Sequence, residues 1–296
     1  MKDLVIDVGA NLGGFALEVA ERNPTVNVLA FEPIPALCRQ LRARAVERSI
    51  DNLTVLQLAV DAAERTAVFH IANHADQGVS SLLDFDATNV ANDEYWRTRK
   101  DLYFEHEIDV SVTRLDAVPE IHAADRIRFI KIDAQGVDLA VLESLGTLLG
   151  RTEAGMLEVP ATIQAKLYAQ ETHDLHAVMT RLHELGFCVY AIKPNDHASN
   201  EFNLFFCRRD LNPQDIEAAL RLRGIQLYDG KHYWHAPSDS LKPDGDLADM
   251  QRVLERLATI EDALARECAE TRRLGEAVVQ RDAQIDMLQM LLRQRT

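Results

Sequence analysis

The sequence predicts an α/β domain built on a mostly parallel, doubly wound sheet, followed by a long C-terminal helix with coiled-coil patterning. Three observations carry this reading. Short apolar runs alternate with amphipathic stretches over residues 1–210, a glycine loop directly follows the first run, and residues 247–296 keep a heptad frame. Strand–helix alternation at such spacing implies parallel βαβ units with right-handed crossovers.

Residues 4–8 read as a buried strand, 15–22 as a helix, 26–31 as the next strand, 36–48 as a long helix with a basic exposed side, and 53–58 as a third strand. Later strands fall at 127–132, 154–159 and 187–192, with helices at 139–149 and 173–185, and residues 202–207 close the series. The rhythm breaks between about 61 and 126, where 66–71 and 108–112 read as extra extended segments around a polar, aromatic-bearing stretch at 93–103.

Residues 211–246 hold Pro213, Pro237, Pro243, Gly224, Gly230 and Gly245, punctuation that suits a connector with little core of its own. Asn212-Pro213 is expected to cap a short helix there. Residues 247–296 hold no proline. With Met250, Leu257, Leu264, Thr271, Val278, Ile285 and Leu292 at a, and Val253, Ile260, Glu267, Leu274, Arg281 and Leu288 at d, ten of thirteen seam positions are apolar. A helix roughly 65 Å long with such a seam is expected to self-associate into a homo-oligomer. Folding back onto the main domain is the alternative.

The 296 residues carry 47 acidic and 32 basic side chains, a formal charge of −15 that disfavours binding to nucleic acid or to an anionic membrane. Hydrophobic residues make up 47% and charged ones 27%, ordinary globular composition. No apolar run approaches the roughly 18 residues needed to cross a bilayer, and Asp7 interrupts the only apolar stretch at the start, so no signal peptide or transmembrane segment is expected. Cys38, Cys188, Cys207 and Cys268 lie far apart, a pattern that suits reduced thiols and a cytoplasmic location.

The strongest chemical signal is Asp7-Val8-Gly9-Ala10-Asn11-Leu12-Gly13-Gly14, between the first strand and the first helix. Gly9 permits a tight turn, Gly13 admits a ligand close to the backbone, and the helix start offers unpaired N–H groups. Nineteen residues after Gly13, at the end of the second strand, comes Glu32, an acid placed to accept hydrogen bonds from both ribose hydroxyls. Together they indicate an adenosine-type ligand. A dinucleotide fingerprint needs G-x-G-x-x-G, whereas Gly9-x-x-x-Gly13 led by Asp7 is the spacing of class I methyltransferases, whose donor has no phosphates. A nicotinamide-dependent oxidoreductase is therefore disfavoured. An acid such as Asp7 attracts the donor's ammonium, directly or through water. A structural strand–helix turn is the bland alternative for the loop.

Five segments occur in order: 5–13 (VIDVGANLG), 31–35 (FEPIP), 58–61 (LAVD), 79–82 (VSSL) and 130–136 (IKIDAQG). Over about residues 3–208 the chain resembles the FkbM-type S-adenosylmethionine-dependent methyltransferases. The resemblance implies a Rossmann-like class I methyltransferase fold and methyl transfer to an oxygen, often a sugar or polyketide hydroxyl. It further implies that Asp7, Gly9, Asn11 and Gly13 line the donor's amino-acid end, that Glu32 holds the ribose, that Ala59 offers backbone contacts near the adenine, and that Ser81 and Asp133 lie near the transfer centre.

Two departures from the family pattern matter. Gln135 stands where the family usually has a glutamate, and a neutral amide is neither a base nor a good ligand for a hard cation. The first strand starts three residues into the chain, so residues 228–234 or a second subunit are expected to cover one rim of the donor pocket.

An alcohol acceptor must lose its proton, to a general base or through a metal. Asp133, at the carboxyl end of a central strand, is expected to be that base or to orient the acceptor; capping the following helix is its structural alternative. Glu158, at the end of the next strand, is a second carboxylate for the same crevice, and a divalent metal between the two is a further option. His70 and His74 flank the insertion, and surface roles are expected for both. Tyr95, Trp96, Tyr103 and Phe104 suit either a carbohydrate platform or packing beneath the insertion. The function expected is an S-adenosylmethionine-dependent O-methyltransferase acting on a sugar, glycan or related natural product. The alternative is a catalytically weak, methyltransferase-like scaffold that assembles a glycan-modifying complex through its coiled coil.

Overall fold

Leu4, Ile6 and Val8 are buried on one face of β1 (Asp3–Val8) and Val5 on the other, which places this strand inside a sheet covered on both sides. The structure is a computed structural model, and it describes residues 2–73, 77–100, 102–195, 198, 200–225 and 234–235. After β1 the chain runs through α1 (Gly14–Arg22), β2 (Asn27–Phe31), α2 (Pro35–Glu47) and β3 (Leu53–Leu56). The short β4 (Ala59–Val60) and the long β5 (Arg65–Ala72) open an insertion that continues with α3 (Ala87–Asn92), α4 (Glu94–Thr98) and β6 (Phe104–Thr113). The main sheet resumes after α5 (Pro119–His122) with β7 (Arg126–Ile132), α6 (Asp138–Glu143), β8 (Ala154–Pro160), α7 (Leu175–Glu184), β9 (Phe187–Pro194) and β10 (Glu201–Arg208). Then come α8 (Pro213–Ala219) and β11 (Trp234–His235).

The main sheet has the order β11-β9-β10-β8-β7-β1-β2-β3. Pairings from β3 through β8 are parallel, as the alternation requires, and β10 pairs antiparallel with both β8 and β9. The expected last strand therefore returns by a hairpin rather than a helix, and it slots between β8 and β9. Phe205 and Phe206 of β10 are fully buried on opposite faces of the sheet, and that burial suits an interior position.

The insertion forms a second sheet of order β4-β6-β5, which contains both extended segments expected there. The predicted third strand, 53–58, is shorter than expected: it ends at Leu56, where Leu53–Leu56 pairs with β2, and the following Ala59–Val60 leaves to pair with β6. Between β5 and β6 in the chain, Asp86 and Asp93 cap α3 and α4 with side-chain oxygens that accept backbone N–H groups.

Residues 1–236 form one compact unit, past the boundary expected at 210. Asn212 does cap α8, yet Ile216, Leu220, Leu222 and Ile225 are buried in the same core as Phe15 and Phe129, so this stretch belongs to the α/β body. Trp234–His235 pairs with β9 at the outer edge of the sheet, and the rest of the stretch expected to cover the rim beside the glycine loop, residues 228–233, lies outside the described residues. The coiled-coil expectation for residues 247–296 lies outside the described residues. No described helix is long and apolar enough to cross a membrane.

Candidate active site

β1 is flanked by β2 on one side and β7 on the other, the point where strand order reverses and open α/β sheets form their crevice. A cavity of about 300 Å³ lies there. Part of its wall comes from the carboxyl ends of β1 and β2 and from β4: Gly9, Asn11, Glu32, Ile34, Leu37, Leu58, Ala59 and Val60. Other parts come from the insertion and from the strands beyond β7: Gln77, Ser80, Tyr95, Arg99, Gln135, Glu158, Asn195 and Glu201. Asp133, one residue past β7, lines the same space.

The loop after β1 is built by backbone conformation. Gly9 has φ +74°, and a Cβ there would stand 1.9 Å from the carbonyl oxygen of Asp133, so only glycine lets these two backbones touch. Asn11 also has positive φ, and its N–H donates to Glu32 Oε2 at 2.7 Å. The N–H of Ile34 donates to Glu32 Oε1 at 2.8 Å. Glu32 is thus held rigidly at the cavity wall by two backbone donors, and each oxygen keeps a lone pair for a ligand hydroxyl. Burial pushes its carboxyl up to about 7, against the opposing effect of the two N–H groups.

Two of the loop's expected ligand contacts are placed elsewhere. Gly13 caps α1 at φ +79°, and a Cβ on it would meet Leu41 Cδ1 at 2.0 Å; its smallness serves the packing of α2 rather than the approach of a ligand. Asp7 is 1% exposed and does not line the cavity. Alternation explains this, because Val5 and Asp7 point to the same face of β1, under α1. On the neighbouring β7, Lys131 is in register with Asp7, and its Nζ lies 3.2 Å from Asp7 Oδ1 and 3.4 Å from Asp133 Oδ2. Burial disfavours the ammonium, but the charges of Asp7 and Asp133 outweigh it and hold Lys131 protonated far above its usual range. Asp7 therefore balances a buried lysine that in turn steadies Asp133.

Asp133 does not cap a helix: the N-cap of α6 is Val137, without a side-chain bond. Instead Asp133 Oδ1 accepts from Gln135 Nε2 at 2.6 Å, and the same nitrogen donates to Glu158 Oε2 at 2.6 Å. Glu158 Oε1 accepts from Asn195 Nδ2. Glu158 is in the interior of β8, and burial, reinforced by the charges of Asp133 and Glu201, pushes its carboxyl well above the usual carboxylate range. Among the described residues no group of three or more His, Cys, Asp or Glu is arranged to hold a metal ion.

Ser81, expected near the transfer centre, is fully buried and does not itself line the cavity. Its backbone pairs with His70, which turns the hydroxyl inward to donate to the Gln135 carbonyl at 2.6 Å. Its neighbours Val79, Ser80 and Leu82 line the cavity instead. His70 sits against Glu107 and Asp84 and stacks on Phe104, and it does not line the cavity; His74 lies outside the described residues. Trp96 is 2% exposed, with its indole N–H bonded to the Ala165 carbonyl, and Phe104 stacks on Phe85. Trp96 and Phe104 are packing residues. Trp96 and Tyr95 still contribute to the cavity wall.

Lys131, Tyr168, Asn195 and Glu201 escape a reading of the sequence. Lys131 alone leaves a signal there, a lysine inside the apolar run 127–132.

The family model "Methyltransferase FkbM domain" matches residues 7–189. The chain is 32% identical over 225 residues to "31-O-demethyl-FK506 methyltransferase FkbM" of Streptomyces tacrolimicus, covering 70% of this chain and 81% of that protein. It is 26% identical over 144 residues to "Methyltransferase 1" of Beauveria bassiana and 25% identical over 156 residues to "Methyltransferase sdnD" of Sordaria araneosa, in each case over 48% of this chain. It spans 57% and 60% of the lengths of those two relatives.

Proposed function

The chain belongs to the FkbM methyltransferase family, and from that membership we propose that it transfers the methyl group of S-adenosylmethionine to a hydroxyl oxygen of a sugar, glycan or related natural product. The observation that carries the proposal is one cavity bounded both by Glu32 with the glycine loop and by the Asp133–Glu158 carboxylates. The match to a relative named as a 31-O-demethyl-FK506 methyltransferase supports oxygen as the acceptor atom.

The residues present fit such a donor. Glu32 is fixed by two N–H groups, with lone pairs left for a ribose diol. Ile34, Leu37, Leu58 and Val60 offer apolar walls beside it for a nucleobase, next to the backbone of Ala59. Gly9 and Asn11 face the amino-acid end. When bound, S-adenosylmethionine supplies a methyl group on a positively charged sulfur. Asp133 accepts the proton that the acceptor hydroxyl loses as the new O–C bond forms. Holding acceptor and donor in line supplies much of the rate. Glu158 and Asn195 orient the acceptor. A carboxylate pair at the cavity wall favours catalysis over a scaffold that only holds a ligand.

Calorimetry with S-adenosylmethionine tests the reading: the full chain binds, Glu32→Ala does not, and folded wild-type protein that fails to bind sinks it. The heptad frame of residues 247–296 supports self-association, so light scattering should find the full chain larger than a monomer and the chain cut after residue 246 smaller.

A further inference from the structure

Two carboxylates that face one cavity repel each other, and a bridging cation is the common remedy. Here the bridging position is already taken. Gln135 Nε2 lies 2.6 Å from Asp133 Oδ1 and 2.6 Å from Glu158 Oε2, so both of its hydrogens are used. The orientation of the amide is set from behind: the Tyr168 hydroxyl lies 2.7 Å from Gln135 Oε1 and also reaches the Val79 carbonyl. The backbone is fixed as well, with Gln135 at φ +58° and its carbonyl accepting from Ser81 Oγ at 2.6 Å. Gln135 is 9% exposed, so water competes little for these bonds.

We propose that Gln135 is a positioning residue that stands in for a bridging cation, its amide nitrogen holding the Asp133 and Glu158 carboxylates side by side at the acceptor end of the cavity. This rests on the methyltransferase reading for its purpose, though not for its geometry. Because a neutral amide does the bridging, Asp133 keeps its second oxygen toward Lys131 and stays available as a base without a metal. An acid at this position would instead create three converging carboxylates, a donor set for a hard divalent cation. Gln135 therefore selects metal-independent proton removal in this chain.

The test needs no acceptor. Chelator-washed full-length protein is titrated with MnCl2 by calorimetry, as wild type, Gln135→Glu, Gln135→Ala and the double variant Gln135→Glu/Asp133→Asn. Wild type and Gln135→Ala should take up no manganese at this site. Gln135→Glu should bind one ion per chain at least about tenfold more tightly than wild type, and the double variant should lose it. A second measurement keeps the proposal open to refutation even if Gln135→Glu does not fold. Urea stability of Gln135→Ala and wild type is compared as pH rises. The ionisable groups facing the pair are Lys131 and Asp7 beneath Asp133, Asp138 and Glu201 beside Glu158, and Tyr168 behind the amide, and all are unchanged by the substitution. Without the bridge, stability should fall more steeply with pH. Parallel curves, or manganese binding by wild type that Asp133→Asn abolishes, overturn the proposal. S-adenosylmethionine affinity, measured on the same samples, reports separately. Wild type that fails to bind the donor removes the methyltransferase reading, while the bridging role of Gln135 still stands or falls on manganese uptake and the pH curves.

Discussion

Lys131 Nζ reaches Asp7 Oδ1 at 3.2 Å across two parallel strands in which the residues are direct register partners, both of them buried. The pair sits beneath the glycine loop, since Lys131 also donates to the Gly9 carbonyl at 3.3 Å. Removing one member strands a charge in the core. Lys131→Met should therefore cost about 3–5 kcal/mol in urea unfolding, the range for breaking a buried ion pair. Asp7→Asn with Lys131→Met should recover a good part of that loss. A single-variant cost below about 1 kcal/mol would mean that the pair is solvated and structurally idle.

Glu32 gives the donor site a pH signature. Its carboxyl is pushed up to about 7 by burial, so a substantial part of the population is neutral at pH 6. Ribose hydroxyls donate best to the ionised form. S-adenosylmethionine affinity should rise with pH through about 7 and level off above it, with a limiting slope of about tenfold per unit on the acid side. Glu32→Gln should bind weakly and without that slope. A wild-type affinity that is flat from pH 6 to 8 would place the ribose on another group.

What the sequence discloses is local. Gly9, Glu32 and the strand alternation are read from neighbours within one βαβ unit, where the chain's own periodicity fixes direction. The end of the sheet is less legible, because an apolar run such as 202–207 looks the same in either orientation and only the six residues between β9 and β10 announce a hairpin. Asp7, Gly13 and Ser81 stand out in the sequence, but where they point depends on Lys131, Leu41 and Gln135, partners that lie 28 to 124 positions away. Gln135 is visible as a departure from the family pattern. Its reason is not, since Glu158, Tyr168 and Asp133 meet it only after β7, β8 and the insertion have assembled.

Gly9 and Gly14 make a controlled comparison within one loop. At Gly9 a Cβ would collide with the Asp133 carbonyl, in a left-handed conformation that alone costs an alanine roughly 1–2 kcal/mol. Gly9→Ala should lower the melting temperature and abolish donor binding, because it separates the loop from Asp133. At Gly14, the first residue of α1, a Cβ meets nothing within 4 Å. Gly14→Ala should be neutral or stabilise by about 0.5–1 kcal/mol, with donor affinity retained. Equal effects at the two positions would contradict the close contact assigned to Gly9.

Glu171 sets a pH dependence of stability that is independent of catalysis. It is 8% exposed, and burial, reinforced by Glu201 and Asp138, pushes its carboxyl up to about 9. In the unfolded chain it titrates near 4.5, so between 4.5 and 9 the folded state holds more protons than the unfolded one. Stability contributed by this group is complete below the lower value and is lost as pH rises toward the upper one. Glu171→Gln keeps the shape and removes the titration. Relative to wild type, the variant should gain stability as pH increases from 5 to 8, with a slope difference on the order of 1 kcal/mol per unit. A pH-independent difference would mean that Glu171 is ionised in the folded protein, compensated by Lys166, whose Nζ donates to its backbone carbonyl at 3.0 Å.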